Sequence, residues 1–115
     1  MKEENTITAI VPFFNEEQTL DESVQRLISS GIFNQIILSD DSSSDKSAEI
    51  ASKLVSQNKN VEYICTQKNG GKGYALQNAQ IYINSTHVVI HDADLEYYPE
   101  DISEMAEVAK QYSKS

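Results

Sequence analysis

The sequence predicts an α/β fold, a Rossmann-like (βα)4 three-layer sandwich around a mostly parallel sheet. Four short β-rich runs start roughly 25 to 29 residues apart, the length of one strand, one helix and two loops. The segments between them carry apolar residues at helical spacing. The first, second and fourth runs are nearly continuous in apolar residues, which suits strands covered on both faces.

The first run is Ile7 to Val11 (ITAIV), followed by a helical stripe of Leu20, Val24, Leu27 and Ile28. Thr19 with Glu22 forms a capping-box pattern at its start, and Gly31 supplies a stop. The second run is Ile36 to Ser39 (IILS). Its helix carries Ile50, Ala51, Leu54 and Val55, with Asp45 as the expected N-cap. The third run, Val61 to Cys65 (VEYIC), leads to the stripe Ala75, Leu76, Ala79, Tyr82 and Ile83. The fourth, His87 to His91 (HVVIH), precedes a terminal stripe of Ile102, Met105, Ala106, Ala109 and Tyr112. The serine-rich DDSSSD reads as a strand-to-helix loop, and the tail KQYSKS is expected to fray.

At 115 residues the chain is one domain, 1–115, with 39% hydrophobic and 23% charged residues, the balance of a globular protein. No apolar run approaches the ~20 residues of a membrane helix, so no span is expected in this chain. MKEENT lacks a signal peptide's apolar stretch, so the chain reads as cytoplasmic, meeting the cytoplasmic face of a membrane only through other regions. A net charge of −9 argues against nucleic acid as a partner. A phosphorylated small ligand stays compatible, because a bound divalent cation reverses the local sign. Cys65, the single cysteine, lies in an apolar run and is expected to be a buried small hydrophobe.

In open α/β sheets, ligands bind beyond the carboxyl ends of the strands. Each of the four expected strand ends here is followed by polar, charged or glycine-rich residues: Pro12 to Glu16, Asp40 and Asp41, Lys68 to Gly73, and Asp92 to Asp94. The acidic pair reads equally as loop chemistry or as a site. The glycines of GGKG serve a turn or a ligand, and the run is no Walker loop, since Thr66 and Gly73 stand where a glycine and a hydroxyl residue are required. His91 is expected to pack at the strand end rather than act as a ligand, and Tyr97 and Tyr98 read as local packing or a sugar-facing platform.

The Asp92-Ala93-Asp94 spacing is more specific. Positions i and i+2 of an extended segment face the same way, and paired carboxylates repel unless a cation or donors intervene. Oxygen ligands suit a hard ion, Mg²⁺ or Mn²⁺, over zinc.

Four segments, IVPFFNEE, LSDDSSSD, KNGGKGYAL and HDADLEYYPED, in this order and spacing, resemble glycosyltransferase family 2. The resemblance runs to the nucleotide-sugar-binding half of the GT-A fold, and most nearly to polyprenyl- or dolichyl-phosphate sugar synthase-like members. It implies a metal-dependent transfer of sugar from a nucleoside-diphosphate sugar, UDP- or GDP-linked, to an acceptor such as a polyprenyl phosphate or a glycan. Carried over by position, Pro12, Phe14 and Glu16 line the base and ribose pocket and Asp41 accepts a hydrogen bond from the base. Asn69 to Gly73 with Lys72 border the diphosphate, Asp92 and Ala93 meet ribose and phosphate, and Asp94 holds the metal with Asp92 and Glu96 beside it. The chain departs from the family at Phe14, where a tyrosine is common, at Ser42, where a glycine is usual, and at Glu96, where Gln is frequent.

In the family the general base and the acceptor surface follow the Asp-x-Asp loop, so the catalytic base is expected beyond Ser115 and none is named here. The resemblance thus implies an incomplete GT-A domain, a donor and metal half that does not turn over alone and that self-associates through its uncovered apolar surface. Alternatives are a non-catalytic nucleotide-binding fragment, a sugar-1-phosphate nucleotidyltransferase and a receiver-like signalling domain. The last two fit less well: PFFNEE stands where a basic glycine-rich loop is wanted, and the acidic pair follows the second strand rather than the first.

Overall fold

The computed structural model describes residues 6–93. In chain order these form β1 (Ile7–Phe13), α1 (Leu20–Ser30), β2 (Gln35–Asp40), α2 (Ser47–Gln57), β3 (Val61–Cys65), α3 (Lys72–Gln80) and β4 (His87–Ile90). The stripe from Ile102 to Tyr112 lies outside the described residues, as do Asp94, Glu96, Tyr97 and Tyr98.

All strand pairs are parallel, in the order β3-β2-β1-β4. Two successive crossovers, through α1 and α2, step the sheet one way from β1 to β3. The third returns through α3 to the far side of β1. Right-handed crossovers that reverse direction must use opposite faces, and the core divides accordingly. Leu20, Val24 and Leu27 of α1 and Ala51 and Leu54 of α2 pack on Ala9, Val11, Ile36 and Leu38. The other face carries a smaller cluster, Ile10, Ile37 and Ala79, with Leu76, Ile83 and Val88 against it. The strand alternation explains the split, since odd and even residues of β1 and β2 serve different helices.

Several local expectations are corrected. β4 is an edge strand among the described residues, and Ile90 is 42% exposed rather than covered on both faces. α3 ends at Gln80, so Tyr82 and Ile83 lie beyond it. Cys65 is exposed, because it ends β3 at the other edge of the sheet. The capping box does not form: Thr19 is the N-cap without a side-chain capping bond, and Glu22 pairs with Arg26 at 3.2 Å. Lys46 rather than Asp45 is the N-cap of α2, although Asp45 Oδ1 still accepts the Ser47 N–H at 2.9 Å. Gly31 closes α1 as expected, at φ 72°.

At the amino ends of the strands a buried polar cluster ties the α3–β4 loop to the sheet. Gln35 Oε1 accepts from Thr8 Oγ1 (2.7 Å) and from the Asn84 N–H (3.1 Å). Gln35 Nε2 donates to both oxygens of Glu62 and to the Tyr82 carbonyl. Both side-chain groups of Gln35 are therefore satisfied, as burial requires.

Candidate functional site

The carboxyl ends of the strands are built differently. Ile10 turns its backbone toward β4, where its carbonyl accepts from His91 N at 2.9 Å. Pro12, two residues on, faces the same side but has no N–H, and the β1–β4 pairing has already stopped at Ile10–Ile90. The ring thus sits where a ladder bond is not needed, which explains a proline inside a central strand. The sheet parts there, where strand order reverses, the place at which open α/β sheets take ligands.

Asn15 fastens the β1–α1 loop to the β2–α2 loop. Its backbone is left-handed (φ 52°), a conformation asparagine tolerates. Its N–H donates to Ser43 Oγ (2.9 Å), and its Oδ1 accepts the N–H groups of Ser44 (2.8 Å) and Asp45 (3.2 Å). Glu16 N donates to Ser47 Oγ (2.9 Å), and Glu17 N to Asp45 Oδ2 (3.2 Å). Desolvation pushes the Asp45 carboxyl up, but bonds from Ser47 and Glu17 outweigh it and hold the group below its ordinary value. Asn15 was legible only as one polar residue of a loop; its role depends on contacts some 30 residues away.

The acidic pair separates into two tasks. Asp40 Oδ1 accepts the Ser43 N–H (2.8 Å) and Oδ2 accepts the Tyr63 hydroxyl (2.7 Å), so this carboxylate is spent on the scaffold. Burial, followed by that hydrogen bond, pushes the Tyr63 phenol above its ordinary value. Asp41 reaches the glycine loop instead: Oδ1 accepts from Gly70 N (3.0 Å) and Thr66 Oγ1 (3.2 Å), and Oδ2 from Gly71 N (2.7 Å). Ser42 adopts φ 64°, the left-handed backbone that a glycine would take without strain. Its hydroxyl donates to the Thr66 carbonyl at 2.9 Å, which offsets part of that cost.

Gly71, at φ 94°, turns the chain into α3, so that Lys72 opens the helix. Lys72 Nζ pairs with Asp92 Oδ1 at 2.6 Å. Thr19 Oγ1 lies 2.6 Å from the Ala93 carbonyl and 3.1 Å from Glu16 Oε1, so α1 anchors the chain leaving β4. His91 is fully buried with Nε2 3.0 Å from Ser23 Oγ, the packing role expected for it.

These loops enclose a cavity of about 590 Å³. Pro12, Phe14 and Glu16 line it from the first strand end and Asp41 from the second. Asn69, Gly71 and Lys72 line it from the third, and Asp92 and Ala93 from the fourth. Phe13 also lines it; the sequence placed it in the run that follows the first strand and gave it no site role, whereas it is the last residue of β1. The apolar wall of Phe13 and Phe14 and the carboxylates with Lys72 give it one character suited to a flat ring and another suited to charge.

Of the three acids expected at a metal, Asp92 alone lies among the described residues. Within those residues no group of three or more His, Cys, Asp or Glu side chains could hold an ion. The donor set fits a hard divalent cation in kind, since it consists of carboxylate oxygens, with His91 engaged by Ser23 and Cys65 not lining the cavity.

A parallel sheet of order 3-2-1-4, with acidic and glycine-rich loops converging at its switch point, defines an open, doubly wound α/β domain. The chain belongs to glycosyl transferase family 2, whose model matches residues 8–115. The nucleotidyltransferase and receiver alternatives fall with that match. Undecaprenyl-phosphate 4-deoxy-4-formamido-L-arabinose transferase of Edwardsiella ictaluri (strain 93-146) is 33% identical over 110 residues, covering 91% of this chain and 34% of the relative. The uncharacterized glycosyltransferase YaiP of Escherichia coli (strain K12) is 34% identical over 95 residues, 83% of this chain and 24% of that protein. The chain thus spans about a third or less of the length of these relatives.

Among solved structures, mannosyltransferase PcManGT from Pyrobaculum calidifontis, in complex with GDP-Man and Mn²⁺, aligns with a TM-score of 0.79. The identity is 21%, over 91% of this chain and 32% of that one. S. aureus TarS in complex with UDP-GlcNAc aligns with a TM-score of 0.74 at 24% identity, over 92% of this chain and 31% of that one. At such identities the likeness establishes the fold, a GT-A glycosyltransferase fold. Among the described residues no helix is long and apolar enough to cross a membrane.

Proposed function

We propose that this chain forms the donor end of a glycosyltransferase that moves a sugar from a nucleoside-diphosphate sugar to an acceptor. The observation that carries the reading is the convergence of residues from all four strand ends on one cavity. Phe14 and Pro12 take the base and ribose, and Asp41 accepts from an N–H on the edge of the base. Lys72 and Asp92 stand at the diphosphate. Asp94, with Asp92 and Glu96, would hold a divalent cation, Mg²⁺ or Mn²⁺, which when bound would neutralise charge on the departing diphosphate.

In the transfer, an acceptor oxygen bonds to the anomeric carbon while the bond from that carbon to the β-phosphate oxygen breaks. The electron pair leaves with the nucleoside diphosphate, and a base takes the acceptor's proton if the acceptor is a hydroxyl. This chain's residues bind and orient the donor and keep its phosphates in a charged, half-enclosed setting. The names of the curated relatives favour an undecaprenyl or other polyprenyl phosphate as acceptor. Such an acceptor would place the reaction at a membrane's cytoplasmic face. The solved neighbours, with GDP-Man in one and UDP-GlcNAc in another, favour GDP- or UDP-linked donors.

Calorimetric titration of UDP, GDP and their sugars, with and without Mn²⁺, tests the reading on wild type and Asp94→Ala. Metal-dependent binding that weakens in the variant supports it. Binding unaffected by metal and by the variant would leave a nucleotide-binding fragment without a transferase donor site.

A further inference from the structure

The Lys72–Asp92 pair joins two loops that local sequence does not connect, and both residues line the cavity. Its two ends are held differently. Asp92 follows β4, with the next residue fixed through the Ala93 carbonyl to Thr19, and its side chain is 25% exposed. Lys72 springs from a backbone fixed by the Asp41 bonds to Gly70 and Gly71, yet its side chain is 55% exposed. A lysine is a point charge on a four-carbon stem and re-aims at low cost.

The geometry points to Lys72 as an internal stand-in cation. It neutralises Asp92 when no donor is bound, and a divalent cation engages that carboxylate fully only once a diphosphate has drawn the ammonium away. The inference rests on the donor-site reading and adds a coupling to it. A cation bound at Asp92 beside an unmoved Lys72 meets both the loss of the 2.6 Å ion pair and repulsion from the ammonium. A nucleoside diphosphate removes both terms by offering its oxygens to Lys72. Cation and nucleotide therefore strengthen each other's binding by the same factor, as linkage requires.

Titration of free Mn²⁺ by electron paramagnetic resonance, with and without GDP or UDP, reads this directly on wild type, Lys72→Met and Lys72→Arg. A circular dichroism melt of each variant verifies folding. Wild type and Lys72→Arg are expected to bind Mn²⁺ weakly alone and more tightly with nucleotide. Lys72→Met is expected to bind Mn²⁺ alone about tenfold more tightly, with the nucleotide's enhancement correspondingly reduced. Equal or weaker binding of Mn²⁺ to Lys72→Met would overturn the proposal, and nucleotide binding by wild type in that case would leave the donor site standing. Wild type that binds neither GDP nor UDP would overturn both.

Discussion

The two ends of the sheet are built from similar polar residues and put them to opposite use. At the amino ends, Thr8, Gln35, Glu62 and Ser85 bond one another and the 82–84 backbone, and none of them lines the cavity at the carboxyl ends. At the carboxyl ends, Asn15, Asp41 and Ser43 also bond across loops, but the loops they hold stand apart around a cavity. One difference in the strands underlies this. Pro12 follows the end of β1–β4 pairing, so the sheet opens at that edge, whereas at the other edge the Thr6 and Thr86 backbones and hydroxyls close it. Polar density alone therefore does not mark a site; polar residues that hold a gap open do.

Substitutions at each end should separate stability from binding. The largest effect is expected at the closed end. Gln35→Ala strands the Asn84 N–H and removes the donor to Glu62, which costs about 3 kcal/mol of unfolding free energy. Chemical denaturation checks this, and nucleotide affinity of the folded fraction should not move. Asp41→Asn comes next, at about 2 kcal/mol, because an amide replaces a carboxylate that accepts three donors. Here calorimetry should also find nucleotide affinity lowered, by about tenfold, since the same side chain lines the cavity. If both variants lost stability alone, the contrast between the two ends would fail.

Ser42 offers a finer comparison. Ser42→Ala keeps the left-handed backbone and loses the bond to Thr66, for about 1 kcal/mol. Ser42→Gly loses that bond but relieves the strain, so its stability should lie within about 0.5 kcal/mol of wild type. The smallest effect is the acid response of Asp45. Its folded-state value is lowered, so its stabilisation is present above the ordinary carboxylate value of about 4 and is lost as pH falls through the folded value. Denaturation midpoints below about pH 4 should fall less steeply in Asp45→Asn than in wild type.

Much of this was legible because it is local. The apolar runs located all four strands, and the stripe Leu20, Val24, Leu27 located the buried face of α1. The cavity residues were legible through motif order, since strand ends of a parallel sheet share one edge. What failed depends on neighbours in space. Cys65, at the end of VEYIC, looks like a buried small hydrophobe until the sheet order puts β3 at an edge and exposes it. Thr19 and Glu22 match a capping box, yet Thr19 is drawn to Ala93 and Glu22 to Arg26. Gln35 carried no signal, because a glutamine at a strand start is unremarkable until Thr8, Glu62 and Tyr82 surround it. The division of labour between Asp40 and Asp41 likewise follows from strand alternation meeting Tyr63 on one side and Gly71 on the other.

The proposed donor site puts nucleotide and cation at the carboxyl ends of the strands rather than at the amino ends. Backbone amide NMR of the isotope-labelled chain with GDP or UDP and substoichiometric Mn²⁺ tests it most directly. Paramagnetic broadening should concentrate at Phe14, Asp41, Gly71, Lys72 and Asp92 and spare Thr8, Gln35 and Ser85. Broadening spread equally over both ends, or centred on Gln35, would contradict it.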